Sequence, residues 1–432
     1  MDPANLLQSK DDMKRIKYIK ALAVLMVIMG AACTFTANKK NEKMSNDKKD
    51  WSPGSYGYDV EFFAGKNIGT IELKDPDSDA AILVVPGYQG RVMTSTAGGY
   101  EGASYGWINY KLIGSGVVST QFNPVGGEER FWLGPEGGPY SIYFGKGKTQ
   151  IYENWQVPPV LDTDPFDIKN QDSGQVTFEK KATLTNASGT EFKIGIERKV
   201  SLLSKEEFTS LFETEIPGGL KVVAYQTDNR IVNEGSQAWT KEGGLLSVWL
   251  LGMFNPSPTT TVFIPFREEG EGVIVNDNYF GKVPADRLIV ENGTIFFKID
   301  GKFRSKIGLP PGRARNLCGS FDSEKNILTL LWCNLPSEPM EYVNSNWGDQ
   351  ENPFDGDVIN SYNDGPVDDG SIMGPFYEIE TSSPAAALDP GESLTHTQRV
   401  AHIQGDKAGL AKIVDLLFDL DLDEIAAKFS SR

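Results

Sequence analysis

The chain has 432 residues, a formal charge of −17, 39% hydrophobic and 11% aromatic residues, and 45 glycines. That composition describes a large globular protein rich in turns, with enough apolar sequence to build a substantial core. The acid excess excludes a partner held through nucleic-acid phosphates, because such affinity comes from Lys and Arg, but it does not exclude neutral sugars.

At the N-terminus Lys14, Arg15, Lys17 and Lys20 precede an apolar run over 21–29, followed by Gly30-Ala31-Ala32-Cys33. A basic stretch, a short apolar stretch and small residues before a cysteine are the layout of an exported segment, too short to span a bilayer. The pattern resembles a bacterial lipoprotein signal, with Gly30 where leucine is commoner. The resemblance implies that residues 1–33 are the signal segment and that Cys33 carries lipid as the mature N-terminus. It places the protein in the bacterial cell envelope, anchored to the membrane and facing the periplasm or the cell surface. Met13 is the expected true start, since residues 1–12 are polar and acidic. Residues 34–50 read as a polar linker that solvates too well to fold.

A single domain is expected over 51–405. Short runs rich in Val, Ile, Phe, Tyr and Thr lie at 81–85, 141–144, 175–184, 192–203, 260–265, 288–297 and 327–333, broken by Gly, Pro, Asn and Asp. This spacing predicts an all-β sandwich or barrel. Glu291-Asn292-Gly293-Thr294 and Asp300-Gly301-Lys302 are hairpin signals. Cys318 and Cys333 flank the 322–326 turn; adjacent strands rarely meet disulfide geometry, so two buried thiols are expected. Over 406–432 the apolar residues Leu410, Ile413, Val414, Leu417 and Leu420 recur at helical intervals, predicting a C-terminal helix or helix pair on the sandwich.

In residues 376–399 alternation sends Tyr377, Ile379 and Thr381 one way and Glu378 and Glu380 the other, so one strand face is acidic. Asp389-Pro390-Gly391-Glu392 turns the chain, and a second strand carries His396 and Thr397. The order Glu380-Thr381, Pro384-Ala385-Ala386, Pro390-Gly391-Glu392, His396-Thr397 resembles the C-terminal end of the galactose mutarotases, the aldose 1-epimerases. The resemblance implies a galactose-mutarotase-like β-supersandwich and a carbohydrate ligand. It also implies that Glu380 is the general base that takes the anomeric hydroxyl proton. The family's general-acid histidine, mid-chain, is missing: the two histidines are His396 and His402. Whether the protein is an enzyme therefore stays open between a sugar epimerase or related carbohydrate-active enzyme and a non-catalytic glycan-binding module.

Two constellations suit sugar recognition, in which an aromatic face packs on C–H groups while charged groups bond hydroxyls. The first is Arg130, Trp132 and Glu136 in a glycine-rich stretch, with Arg91 as a second candidate arginine. The second is the carboxamide-rich stretch 342–366, offering Trp347, Gln350, Asp357, Asn360, Tyr362, Asn363 and Asp364. A stretch so poor in hydrophobic pattern reads as a functional loop, or as a self-bonded one. His396 joins these as a substrate-binding candidate. Internal salt bridges are the alternative for both arginines, and a solvated edge-strand acid is the alternative for Glu380. Lys302, Arg304 and Lys306 alternate and read as a solvated strand face unless buried. No zinc pattern, phosphate-binding glycine loop or EF-hand spacing is present, so no metal or cofactor is expected.

Overall fold

A computed structural model of the protein describes residues 50–429 apart from Thr214, Glu271, Pro339 and Asp368. The signal segment with Cys33, the start at Met13 and the linker up to residue 49 lie outside the described residues. Helix α1 (Tyr56–Gly65) opens the fold, its first turn capped by the Ser55 hydroxyl accepting from the Tyr58 N–H. A three-stranded antiparallel sheet follows, β1 (Ile71–Lys74), β2 (Ala81–Val85) and β3 (Arg91–Thr96). Helix α2 (Tyr110–Ser115), strand β4 (Arg130–Gly134) and helix α3 (Pro159–Asp162) come next.

The remaining strands are β5 (Asp167–Gln171), β6 (Gln175–Thr185), β7 (Glu191–Leu203), β8 (Lys221–Asn233), β9 (Ser247–Phe254) and β10 (Thr260–Pro265). They continue as β11 (Leu288–Glu291), β12 (Thr294–Ile299), β13 (Ser305–Leu309), β14 (Leu317–Asp322) and β15 (Ile327–Cys333). The last are β16 (Ile359–Asn363), β17 (Tyr377–Ser382) and β18 (Ser393–Gln404). Ten form one sheet in the order β11-β12-β10-β14-β15-β18-β8-β7-β6-β5, and five form another in the order β13-β16-β17-β9-β4. The two sheets share one apolar core, to which Phe131, Leu250, Ile379, Val176, Ile231, Val262 and Val400 all contribute. This is the all-β sandwich expected from the sequence.

The outer face of the ten-stranded sheet is covered by helices. Helix α4 (Lys205–Phe212) inserts Phe208 and Phe212, and α5 (Lys407–Phe418) and α6 (Leu422–Ala427) insert Leu410, Ile413, Val414, Leu422 and Ile425. Asp406 and Asp421 cap α5 and α6, so of the expected helix or helix pair the structure has the pair, restarted by a second acidic cap. Among the described residues no helix is long and apolar enough to cross a membrane.

Three local expectations are corrected. Residues 141–144 form no strand; the Tyr143 hydroxyl donates to the Leu133 carbonyl at 2.8 Å, and only the Phe144–Trp155 bridge remains. Asn292 and Gly293 take positive φ in the β11–β12 hairpin turn as anticipated, but Asp300-Gly301-Lys302 closes no hairpin. It carries the chain from the ten-stranded sheet to the five-stranded one, held by the Arg287–Asp300 ion pair at 2.5 Å and by the Gly301 N–H donating to Asn363 Oδ1 at 2.9 Å. The stretch 342–366 is not one loop, because residues 359–363 are β16, buried along its whole length. Its polar side chains escaped the apolar pattern because other strands bond them: Ser361 donates to the Glu378 carbonyl at 2.8 Å and Asn360 to the Ile307 carbonyl at 3.2 Å. Cys318 and Cys333 are buried free thiols.

Candidate functional site

The site grows from the register of the five-stranded sheet. Opposed residues of antiparallel strands point to the same face. Glu380 lies opposite Asn360 and Leu251, and Leu251 lies opposite Arg130. One pair further on, Ser382 faces Trp249, which faces Trp132. In the other direction Glu378 faces Tyr362, which faces Lys306. Arg130, Trp132, Trp249, Glu378, Glu380, Asn360, Tyr362 and Lys306 therefore share the face turned away from the ten-stranded sheet.

Two charge pairs organise that face. Glu380 is fully buried, and its Oε2 accepts from the Trp249 indole N–H and from the Lys306 ammonium, each at 2.8 Å. Arg130 stacks over the Trp132 ring at 4.0 Å and approaches Glu378 with its Nη2 at 3.5 Å. Burial raises the Glu378 carboxyl, and the neighbouring Glu380 charge raises it further, against the pull of Arg130 and Lys306. Burial works against the Lys306 ammonium, yet the charge and hydrogen bond of Glu380 hold its pKa above the ordinary value. Glu136 approaches from the loop after β4; burial pushes its carboxyl up to about 6, opposed by Lys306 and by a hydrogen bond from Trp347.

Above this face opens a cleft of about 430 Å³ whose lining includes Trp249, Tyr279, Lys306, Ser345, Asp357 and Asn360. Asp357 accepts from Asn276 Nδ2 at 2.8 Å and from the Tyr279 hydroxyl, which in turn receives Asn360 Nδ2 at 3.0 Å. Burial pushes the Asp357 carboxyl up to about 6, against those two hydrogen bonds and the Lys306 charge. Glu380 does not line the cleft; it lies under Trp249 and Lys306, which do. Trp347 is exposed at 38% and stacks 6.1 Å from Trp155. Among the described residues no three His, Cys, Asp or Glu side chains gather as metal ligands.

Of the sequence candidates, Asp357 and Asn360 line the cleft and Glu380 lies beneath Trp249 and Lys306, whereas Arg130, Trp132, Glu136 and Trp347 are not among its lining residues. Arg130 is buried between Trp132 and Glu378, the internal salt bridge that was its alternative. The other candidates lie elsewhere. Arg91 is buried on β3, donating to the Gly126 carbonyl at 2.7 Å and to Gln89 at 3.0 Å, so it supports a loop and meets no ligand. His396 lies on the ten-stranded sheet, fully buried against the Thr381 hydroxyl at 2.7 Å, and burial lowers its pKa to about 3. It packs between the sheets as a neutral core residue. Asn363 points to that inner side and pins the 300–303 turn through Gly301 and Phe303. Tyr362 shares the outer face, but its hydroxyl donates to Asp364 at 2.9 Å and receives Arg304 at 3.3 Å, so this trio forms a separate cluster. Gln350 ties its own loop, donating to the carbonyls of Asn344 at 3.0 Å and Asn346 at 2.6 Å.

Cleft residues that were not singled out from sequence as ligand groups include Trp249, Lys306, Tyr279 and Asn276. Lys306 carried the one usable signal, a cation at strand parity with Lys302 and Arg304. Its side chain is 12% exposed, so the solvated-face reading is corrected: β16 and Glu380 enclose it.

No curated protein matches the chain. Solved structures similar to it include the Slr1438 protein from Synechocystis sp. PCC 6803, at 13% identity and a TM-score of 0.48, covering 78% of this chain and 96% of that one. A galactose mutarotase-like protein from Lactobacillus casei ATCC 334 is 11% identical with a TM-score of 0.42, covering 77% and 100%. A galactose mutarotase related enzyme from Lactobacillus acidophilus is 9% identical with a TM-score of 0.42, covering 78% and 98%. Residues 54–429 match the model of the family of unknown function DUF6786, and the chain belongs to that family.

Proposed function

We propose that this protein binds a carbohydrate in the cleft over the five-stranded sheet. One observation carries the reading: an indole and an ammonium, Trp249 and Lys306, both lining the cleft, are fixed on the same buried Glu380 oxygen. A sugar needs an aromatic surface for its C–H face and charged or amide groups for its hydroxyls, and Asp357, Asn360 and Asn276 supply the latter. As the finer reading, the protein acts on the bound sugar as an epimerase or related enzyme, using a carboxylate near Lys306 to take up a hydroxyl proton. Isothermal titration across simple aldoses tests the binding. Polarimetry of freshly dissolved α-D-glucose and α-D-galactose tests turnover, and rates unchanged in Glu380→Ala remove Glu380 from any mechanism.

A second reading, a glycan-binding module without chemistry, is favoured by a specific observation. Both histidines belong to the ten-stranded sheet and face the interior, His396 against Thr381 and His402 against Glu128 and Thr329. Saturable binding to a glycan array with no turnover supports this reading; catalysed epimerisation ends it. We also propose attachment to the cell envelope through lipid on Cys33. Metabolic labelling with a radioactive fatty acid should mark the full-length protein, and Cys33→Ser should abolish the label.

A further inference from the structure

We infer that Lys306 and Asp357 are the charged groups that meet the ligand in this cleft, and that Glu380 is a positioning residue acting through Lys306. The inference rests on the carbohydrate reading and assigns roles within it. Its starting point is access. Glu380 is fully buried, while Lys306 and Asp357 both line the cleft. Glu380 Oε2 is already occupied by two donors, and Oε1 is enclosed. A sugar hydroxyl reaches Glu380 only by displacing Trp249 or Lys306.

The two cleft-facing groups have capacity to spare. An ammonium offers three N–H donors, and Glu380 takes one. Each Asp357 oxygen accepts one bond, from Asn276 or Tyr279, and a carboxylate oxygen can accept two. Lys306 also lowers the pKa of Asp357 by its charge, so donor and acceptor form one patch that can engage adjacent hydroxyls. The strand opposite is shaped for this. A Cβ at Gly308 would lie 2.1 Å from Asp357 Oδ2 and 2.5 Å from Asn360 Nδ2, so only glycine leaves room for the carboxylate. Reciprocal backbone bonds of 2.8 Å between Asn276 and Gly308 lock the neighbouring segment in place.

A double-mutant cycle separates a positioning role from direct contact. Titrations of D-glucose, D-galactose, D-mannose and cellobiose into the wild type, Glu380→Gln, Lys306→Met, the double variant and Asp357→Asn measure it, with each fold checked by thermal melting. Loss of a charge-assisted hydrogen bond weakens affinity about ten-fold or more, and this is expected for Lys306→Met and for Asp357→Asn. Glu380→Gln should weaken binding in the wild type but change it less than about two-fold in the Lys306→Met background. Equal losses in both backgrounds would mean that Glu380 touches the sugar, and wild-type affinity in Lys306→Met or Asp357→Asn would equally overturn the assignment. If Lys306→Met does not fold, lysine-selective ¹³C NMR reads the same contact. The ε resonance that Glu380→Gln displaces should move on adding sugar, and a stationary resonance overturns the inference. Failure of the wild type to bind any of the four sugars defeats the carbohydrate reading itself, whereas a failed cycle with binding intact defeats only the role of Lys306.

Discussion

The two faces of the five-stranded sheet are written in alternate residues of the same strands, yet they do opposite work. Inward, Phe131, Leu250, Tyr377 and Ile379 pack into the common core. Their few polar neighbours are engaged by the opposite sheet: Tyr377 meets the Ser320 hydroxyl at 2.8 Å, and Thr381 meets His396 and Gln398 at 2.7 Å each. Outward, Arg130, Lys306, Glu378 and Glu380 concentrate charge, and some of their atoms stay unmatched, including Arg130 Nε and Nη1 and Glu380 Oε1. Buried polar groups are normally paired. The inner face contributes packing to the common core, whereas the outer face carries the charge that lies in and beneath the cleft. Substitutions on the inner face should therefore cost stability and leave ligand affinity alone, while those outside should do the reverse unless they strand a charge.

The largest effect is expected from Phe131→Ala, which empties a fully buried site. It should lower the unfolding free energy by roughly 3–5 kcal/mol in urea titration while the surviving folded fraction binds ligand normally. Lys306→Met is the outer face's exception. It leaves Glu380, fully buried, without its cation, at a cost of about 3 kcal/mol at neutral pH. Pairing it with Glu380→Gln should recover most of that loss, because no charge is then stranded.

A third test uses pH. The folded-state pKa of Asp357 is pushed up to about 6 from an ordinary 3.8, mainly by burial. Between those values the folded protein holds a proton on Asp357 that the unfolded chain has released, so the contribution of this group to stability falls as pH rises from about 4 to about 6 and is constant above. The shift corresponds to at most roughly 3 kcal/mol. Glu136 is shifted in the same sense, so Asp357→Asn should reduce the slope over this window without abolishing it. A slope unchanged in Asp357→Asn would show that the carboxylate is not desolvated in solution.

Much of this architecture was legible because it rests on local rules. Period-two alternation separated Glu378 and Glu380 from Tyr377 and Ile379, Asn292-Gly293 marked a hairpin, and the three-four spacing after Asp406 marked helix. What could not be read was set by pairing between distant strands. Lys306 looked solvated because nothing near it in sequence reveals that β16 and Glu380 close over it. Residues 359–363 looked like loop because Asn and Ser carry no apolar signature, although a strand whose side chains are bonded by its neighbours needs none. Arg91 and His396 had suitable chemistry for a site, but their positions on β3 and β18 direct them into the interior.

The smallest expected effect sharpens the comparison most. Thr381 stands on the inner face directly after Glu380, and its hydroxyl proton goes to Gln398 Oε1. Since a hydroxyl has only one proton to give, His396 must donate to Thr381 from Nε2. Burial keeps that imidazole neutral by lowering its pKa to about 3, so Thr381→Val breaks two neutral hydrogen bonds and strands no charge. The cost should be about 1–2 kcal/mol, less than for Lys306→Met two strands away, with sugar affinity unchanged. Val also preserves the β-branched shape that the strand favours, so packing should not confuse the result. Equal losses in Thr381→Val and Lys306→Met, or a weakened affinity in Thr381→Val, would mean that the sheet transmits strain from one face to the other and that the division between them is not real.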